Sequence, residues 1–153
     1  KSEVLKNNFD VLCFGGNKFN KNEIKNFEEL KIPRNSIFQV SGDDKTLKSY
    51  YLAAEFLIIP SLYEGFGLPL LEAMSLNCPV LCSKNSSLLE IGGDAAIFFD
   101  PQDYEDIKNT MEKFINNTTD RNEIIQKGIL NSQKYTWENC ANKTLKVYKE
   151  VIK

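Results

Sequence analysis

Short apolar runs alternate with amphipathic stretches from the start of the chain to Pro101. The run at residues 9–14 (FDVLCF) stops at Gly15 and Gly16 and predicts a buried strand closed by a turn. Residues 19–31 place Ile24, Phe27 and Leu30 at three-residue spacings with charges between them, a helical pattern halted by Pro33. A second strand is predicted at 36–40 (SIFQV). The polar turn Ser41-Gly42-Asp43-Asp44 follows, with an acidic residue placed to cap a helix carrying Leu47, Tyr50, Tyr51 and Ala54. The unit then repeats, with strands at 56–59, 79–82 and 95–99 and a short helix at 69–76.

Continuous apolar strands that alternate with helices are what a parallel sheet covered on both faces requires, because neither side of such a strand meets water. The expected fold class is α/β, a doubly wound parallel sheet. After Pro101 the pattern turns purely helical. Ile107, Met111, Phe114 and Ile115 form one stripe, and Ile124, Ile125, Ile129 and Leu130 a second. Trp137, Ala141, Leu145 and Tyr148 form a third. All three are expected to be packing faces of extra C-terminal helices. With no low-complexity linker or internal repeat, residues 1–153 read as one domain. The start at Lys1, without Met, suggests a chain cut from something longer.

Composition narrows the chemistry. The 153 residues carry 19 Lys and Arg against 21 Asp and Glu, so the net charge of -2 offers no basic face for nucleic acid. The chain has no His. Ser-His and Cys-His hydrolases are thereby excluded within it, and acid-base work falls to carboxylates, lysines or the substrate. Cys13, Cys78, Cys82 and Cys140 include no C-x-x-C pair and read as free thiols, the first three in or beside apolar runs. With no signal peptide and no run of 18 apolar residues, the expected compartment is the cytoplasm. The glycosylation sequons at Asn85, Asn116, Asn117 and Asn142 are expected by chance among 16 Asn.

The chemically informative stretch lies between the strands at 56–59 and 79–82, where the chain reads PSLYEGFGLPLLEAMSLNCPVLC from Pro60 onward. Gly65 and Gly67 flank Phe66, letting the backbone approach a ligand and turn its N–H groups toward it. Pro69 suits a first helical position, and the helix start directs partial positive charge at the turn, a setting for a phosphate. Turns at the carboxyl ends of strands are where open α/β sheets bind ligands. Glu64 ends the strand side of this turn. Glu72, eight residues on, lies about one helical turn past the helix start, within reach of a ligand hydroxyl. Taken singly, Glu64 could be a carboxylate favoured by a helix dipole and Glu72 a solvent-facing residue. Flanking Gly-Phe-Gly-Leu-Pro together, they read as a site shaped for a nucleotide.

The segment Ser61-Leu-Tyr-Glu64-Gly-Phe-Gly-Leu-Pro-Leu-Leu-Glu72-Ala-Met closely resembles the E-x7-E segment of retaining nucleotide-sugar glycosyltransferases of the GT-B fold, glycosyltransferase family 4. Ile37-Phe-Gln-Val-Ser-Gly resembles the strand and turn near the nucleotide base, and Ala95-Ala-Ile-Phe-Phe-Asp-Pro the closing strand, so the resemblance covers essentially the whole chain. It implies the Rossmann-like, donor-binding half of such an enzyme. Glu72 would bind the ribose hydroxyls and Glu64, as the catalytic residue, a hydroxyl of the donor sugar. The amides of Gly65, Phe66, Gly67 and Leu68 would bind the diphosphate or sugar, and Val40 and Ser41 would edge the base. The donor would be a UDP-, GDP- or ADP-linked sugar and the acceptor a glycan or lipid-linked glycan of a polysaccharide pathway. The acceptor-binding N-terminal domain, and the first strand-loop with its phosphate-binding Arg and Lys, would precede Lys1. Any peripheral membrane contact would belong to that missing half.

The resemblance also implies transfer with retention of anomeric configuration and without metal or cofactor. No Asp-x-Asp occurs to hold a metal-diphosphate, and no G-x-G-x-x-G follows the first strand to bind a dinucleotide. Lys18 and Lys84 follow strands and could face a cleft, though surface lysines account for both. Two alternatives stay open: a donor-binding module inactive alone, and a nucleotide-sugar epimerase of the same fold.

Overall fold

The computed structural model describes residues 2–116 and 120–152. The sequon residues Asn117 and Thr118 lie outside the described part. The chain forms two compact units, Lys1–Tyr50 and Tyr51–Lys153. The first contains α1 (Glu3–Asn8), β1 (Val11–Phe14), α2 (Lys21–Glu29) and β2 (Ile37–Val40), and most of α3 (Asp44–Ala53). β1 and β2 run parallel, Val11 opposite Ile37 and Phe14 opposite Val40. Local hydrogen bonds explain the helix starts. Asn20 Oδ1 accepts from the N–H of Asn22 and Glu23 while Glu23 reaches back to the N–H of Asn20, a reciprocal cap for α2. Asp43 Oδ1 accepts from the Thr46 N–H at 2.9 Å and its hydroxyl at 2.8 Å, which lowers the Asp43 pKa and starts α3 as expected.

The second unit contains β3 (Leu57–Ile59), α4 (Leu68–Ser75), β4 (Val80–Ser83) and α5 (Ser86–Gly92). A 3₁₀ turn (Gly93–Ala95) leads to β5 (Ile97–Phe99), α6 (Tyr104–Ile115), α7 (Arg121–Ser132) and α8 (Trp137–Val151). Its three strands are parallel in the order β3-β4-β5. The α/β architecture with parallel strands and added C-terminal helices is thus the one expected. β4 is the central strand and is wholly buried, and Ser83 within it satisfies its hydroxyl on the Ile59 carbonyl at 3.1 Å. Leu81, Phe99 and Phe114 form a core against which Phe56, Ile58, Ile97, Ile107 and Met111 pack.

Four expectations are corrected. β1 is a strand but not a buried one: Val11, Leu12 and Phe14 are exposed, because a two-stranded sheet is too narrow a platform for helices to cover. α4 begins at Leu68, so Pro69 occupies its second position. The short helices α1 and α5, of six and seven residues, are too brief to show a period and were not predicted. The fourth correction concerns α8. Its stripe is no packing face: every residue is exposed, Trp137 by 85%, since no described element lies over it. Its Cys140 is likewise exposed, whereas Cys78 and Cys82 are buried, their thiols pushed up by that burial to about 11 and about 12, and all four are free. Among the described residues no helix is long and apolar enough to cross a membrane.

α7 also departs from its apolar pattern. It buries Ile124, Gly128 and Asn131, while Leu130 stays exposed. A Cβ on Gly128 would sit 3.2 Å from Met74 Cγ, so the glycine lets α7 lie close on α4. Asn131 then donates to the Ile91 carbonyl at 2.7 Å. Asn131→Ala is expected to lower stability by about 1–3 kcal/mol because that carbonyl loses its buried donor. Leu130→Ala should stay within about 0.5 kcal/mol. Urea unfolding of both variants checks the contrast.

Candidate functional site

β3 delivers the chain to Pro60, and residues 60–67 cross to the start of α4. Gly67 stands at the N-cap with φ +95°, a left-handed conformation that strains any L side chain, and a Cβ there would press on Leu88 at 2.9 Å. It offers no capping side chain, Pro69 has no N–H and the Leu70 N–H donates to the Gly67 carbonyl at 3.1 Å, which leaves the Leu68 N–H at the start of α4 for a ligand or water. Gly65 is exposed, with open space where a Cβ would be. Phe66 and Leu68 are exposed beside it, and the Phe66 ring meets Tyr135 edge-on at 6.0 Å.

Glu64 is half-buried and held on several sides. Its Oε1 accepts from the Ser61 hydroxyl at 2.7 Å, its N–H donates to Ser86 Oγ at 3.1 Å, and its carbonyl accepts from the Ser87 hydroxyl at 2.8 Å. Asn85 adds a bond from Nδ2 to the Leu62 carbonyl at 2.8 Å. Three consecutive side chains, from the N-cap and first turn of α5, thus fix the backbone that carries Glu64. Ser86 adopts a positive φ of 46° to do so. Sequence reading did not include Ser61, Asn85, Ser86 and Ser87 in the site. Ser61 lies within the motif itself, whereas Asn85, Ser86 and Ser87 act on residues more than twenty positions away and carry no local signal.

On α4 the buried residues are Leu70, Leu71, Ala73 and Met74. Glu72 therefore projects from the opposite side, where it is exposed. Its Oε2 accepts from the Tyr51 hydroxyl at 3.3 Å. Tyr51 is itself 8% exposed, and burial together with the Glu72 charge pushes its pKa well up, keeping the phenol protonated. Glu72 also borders a groove of about 720 Å³ with Phe66, Leu68, Leu71, Tyr135 and Trp137. Glu64, Gly65, Phe66, Gly67, Leu68 and Glu72 thus belong to one strand-turn-helix of the second unit.

Val40 and Ser41 belong to the first unit, Val40 at the end of β2 with its carbonyl accepting from Gly15 N–H at 2.9 Å, and Ser41 exposed after it. Lys18 and Lys84, and the chain's two arginines, have other roles. Lys84 pairs with Asp100 at 3.2 Å, Lys18 is exposed, and Arg34 and Arg121 pair with Glu28 and Glu55. Among the described residues no group of three or more Cys, Asp or Glu is placed to hold a metal ion.

Residues 2–130 match the family model described as glycosyl transferases group 1. O-antigen chain mannosyltransferase B of Escherichia coli is 40% identical over 106 residues, which are 69% of this chain and 28% of that enzyme. The chain thus spans less than a third of that relative's length. The C-terminal domain of a glycosyl transferase group 1 protein (LpcC) from Francisella tularensis superposes with a TM-score of 0.63 at 25% identity, covering 74% of this chain and 60% of that one. Anabaena Alr3699/HepE, solved in complex with UDP, superposes with a TM-score of 0.78 at 16% identity, covering 93% of this chain and 41% of that one, a likeness of fold. The match across residues 2–130, joined to the parallel α/β fold and its glycosyltransferase neighbours, makes this chain a member of the glycosyl transferases group 1 family.

Proposed function

We propose that the chain is the donor-binding part of a retaining glycosyltransferase of family 4, which moves a sugar from a nucleoside diphosphate to a glycan or lipid-linked glycan in the cytoplasm. The observation that carries this reading is the pair of carboxylates on either side of the uncapped start of α4, Glu64 braced on the turn and Glu72 projecting from the helix. The Leu68 N–H and the helix dipole at the start of α4 suit the diphosphate. Glu72 suits the two ribose hydroxyls, and Glu64 a hydroxyl of the sugar. Val40 and Ser41 are assigned to the base by resemblance alone.

In such a transfer positive charge grows at the anomeric carbon and negative charge on the departing diphosphate. Donors already fixed in place lower the barrier because they need not reorganise as that charge develops. The Ser86 and Ser87 bonds supply that fixity to the Glu64 backbone, and the Ser61 bond to its carboxylate. Glu64 positions the sugar and faces the developing positive charge without forming a bond to it. No metal or cofactor is assigned. The likeness to mannosyltransferase B supports a mannosyl donor.

Calorimetric titration with UDP, GDP, ADP and their sugar conjugates, with and without Mg²⁺, tests the reading. Binding of one nucleotide series without metal is expected, with the mannosyl conjugate of that series preferred. Absence of binding to every nucleotide overturns it. Glu72→Ala is expected to weaken nucleotide binding by about 1–3 kcal/mol through loss of a charged acceptor. Glu64→Ala should leave the affinity for free nucleoside diphosphate unchanged and remove the added affinity of the sugar conjugate. Equal loss for both ligands would displace Glu64 from the sugar.

A further inference from the structure

Tyr51 is the one buried tyrosine of α3, and its phenol donates to a carboxylate. Nothing in the packing requires that bond. Glu72 projects away from the buried side of α4, where a carboxylate with several rotatable bonds would be fully hydrated and would sample many rotamers. The Tyr51 hydroxyl, 3.3 Å from Oε2, selects among those rotamers. Its donor is protonated throughout the ordinary pH range, because burial and the neighbouring charge both oppose its ionisation. Among the described residues no Lys or Arg is paired with Glu72. The carboxylate therefore keeps its charge unneutralised, and a single neutral donor fixes its direction.

We infer that Tyr51 is a positioning residue for ligand recognition: by holding Oε2 of Glu72 it presents Oε1 to the vicinal hydroxyls of a bound ribose. The inference rests on the proposed donor site and deepens it. A carboxylate bonded to two adjacent hydroxyls must have its plane set before the ligand arrives, or binding has to supply the ordering entropy. A neutral phenol suits this task better than a lysine. An ammonium would draw charge from the carboxylate and weaken its bonds to the ligand, whereas a phenol occupies one lone pair and leaves the net charge intact.

The test is titration of the full chain and its Tyr51→Phe variant with a nucleoside diphosphate and with its 2′,3′-dideoxy analogue. Phenylalanine keeps every ring contact and deletes only the hydroxyl, so the fold is retained, which thermal unfolding verifies. Wild type is expected to prefer the ribonucleotide. Tyr51→Phe should lose about three- to tenfold in affinity for the ribonucleotide and nothing for the dideoxy analogue. In a Glu72→Ala background the same substitution should have no further effect on either ligand, since its action passes through Glu72. A wild-type chain with no ribose preference, or with no affinity for either ligand, would overturn the donor-site reading and this inference with it. A preference that Tyr51→Phe retains in full, or a loss equal for both ligands, would overturn the role of Tyr51 alone.

Discussion

The seating of α4 governs the rest of the second unit. This eight-residue helix buries Leu70, Leu71, Ala73 and Met74 and still has to present Glu72 outward. Leu70, Leu71 and Met74, at roughly 1.5–3 kcal/mol each for full burial, outweigh any rotation of the helix about its axis, so the direction of Glu72 follows from the burial of its neighbours. α7 completes the seat. Gly128 permits the close approach to Met74, and Asn131 ties the contact to the carbonyl of Ile91 on α5. The helix that carries Glu72 is thus oriented by a glycine and an asparagine of α7.

A second constraint acts on the turn before α4. Residues 60–67 have neither helix nor strand to hold them, and they expose Leu62, Tyr63 and Phe66. Burial does little of the work there, and polar bonds do most of it. Asn85, Ser86 and Ser87 bond to the backbone of Leu62 and Glu64, and Ser61 to the Glu64 carboxylate. The two carboxylates are accordingly held by different physics: Glu72 by the packing of its helix and one phenol, Glu64 by a set of hydroxyl and amide bonds around its own backbone.

Much of this was legible in the sequence, for reasons that can be traced to particular residues. The strands at 57–59, 80–83 and 97–99 are continuous apolar runs, and the Glu64 to Glu72 segment is local in sequence, so its spacing could be read directly. What escaped was non-local or too short to be periodic. The bond of Tyr51 to Glu72 and those of Ser86 and Ser87 to Glu64 join residues 21 to 23 positions apart. The face of α7 was misread because its buried positions include Gly128 and Asn131, which an apolar stripe cannot announce. The stripe of α8 was read as core because periodicity reports that a helix has an apolar side, and says nothing of whether anything covers it.

That uncovered side gives α8 a thermodynamic life of its own. An isolated helix of about fifteen residues is marginal in water, because nucleation and backbone entropy leave almost nothing to spare. α8 has capping by Thr136 and one spaced ion pair between Lys146 and Glu150, but no burial to add to them. Its amides should therefore exchange with solvent by local fraying, while those of β4 wait for the whole β3-β4-β5 layer to open. The β3-β4-β5 layer and α8 belong to the same compact unit yet differ in the events that expose them, so they count as separate cooperative units.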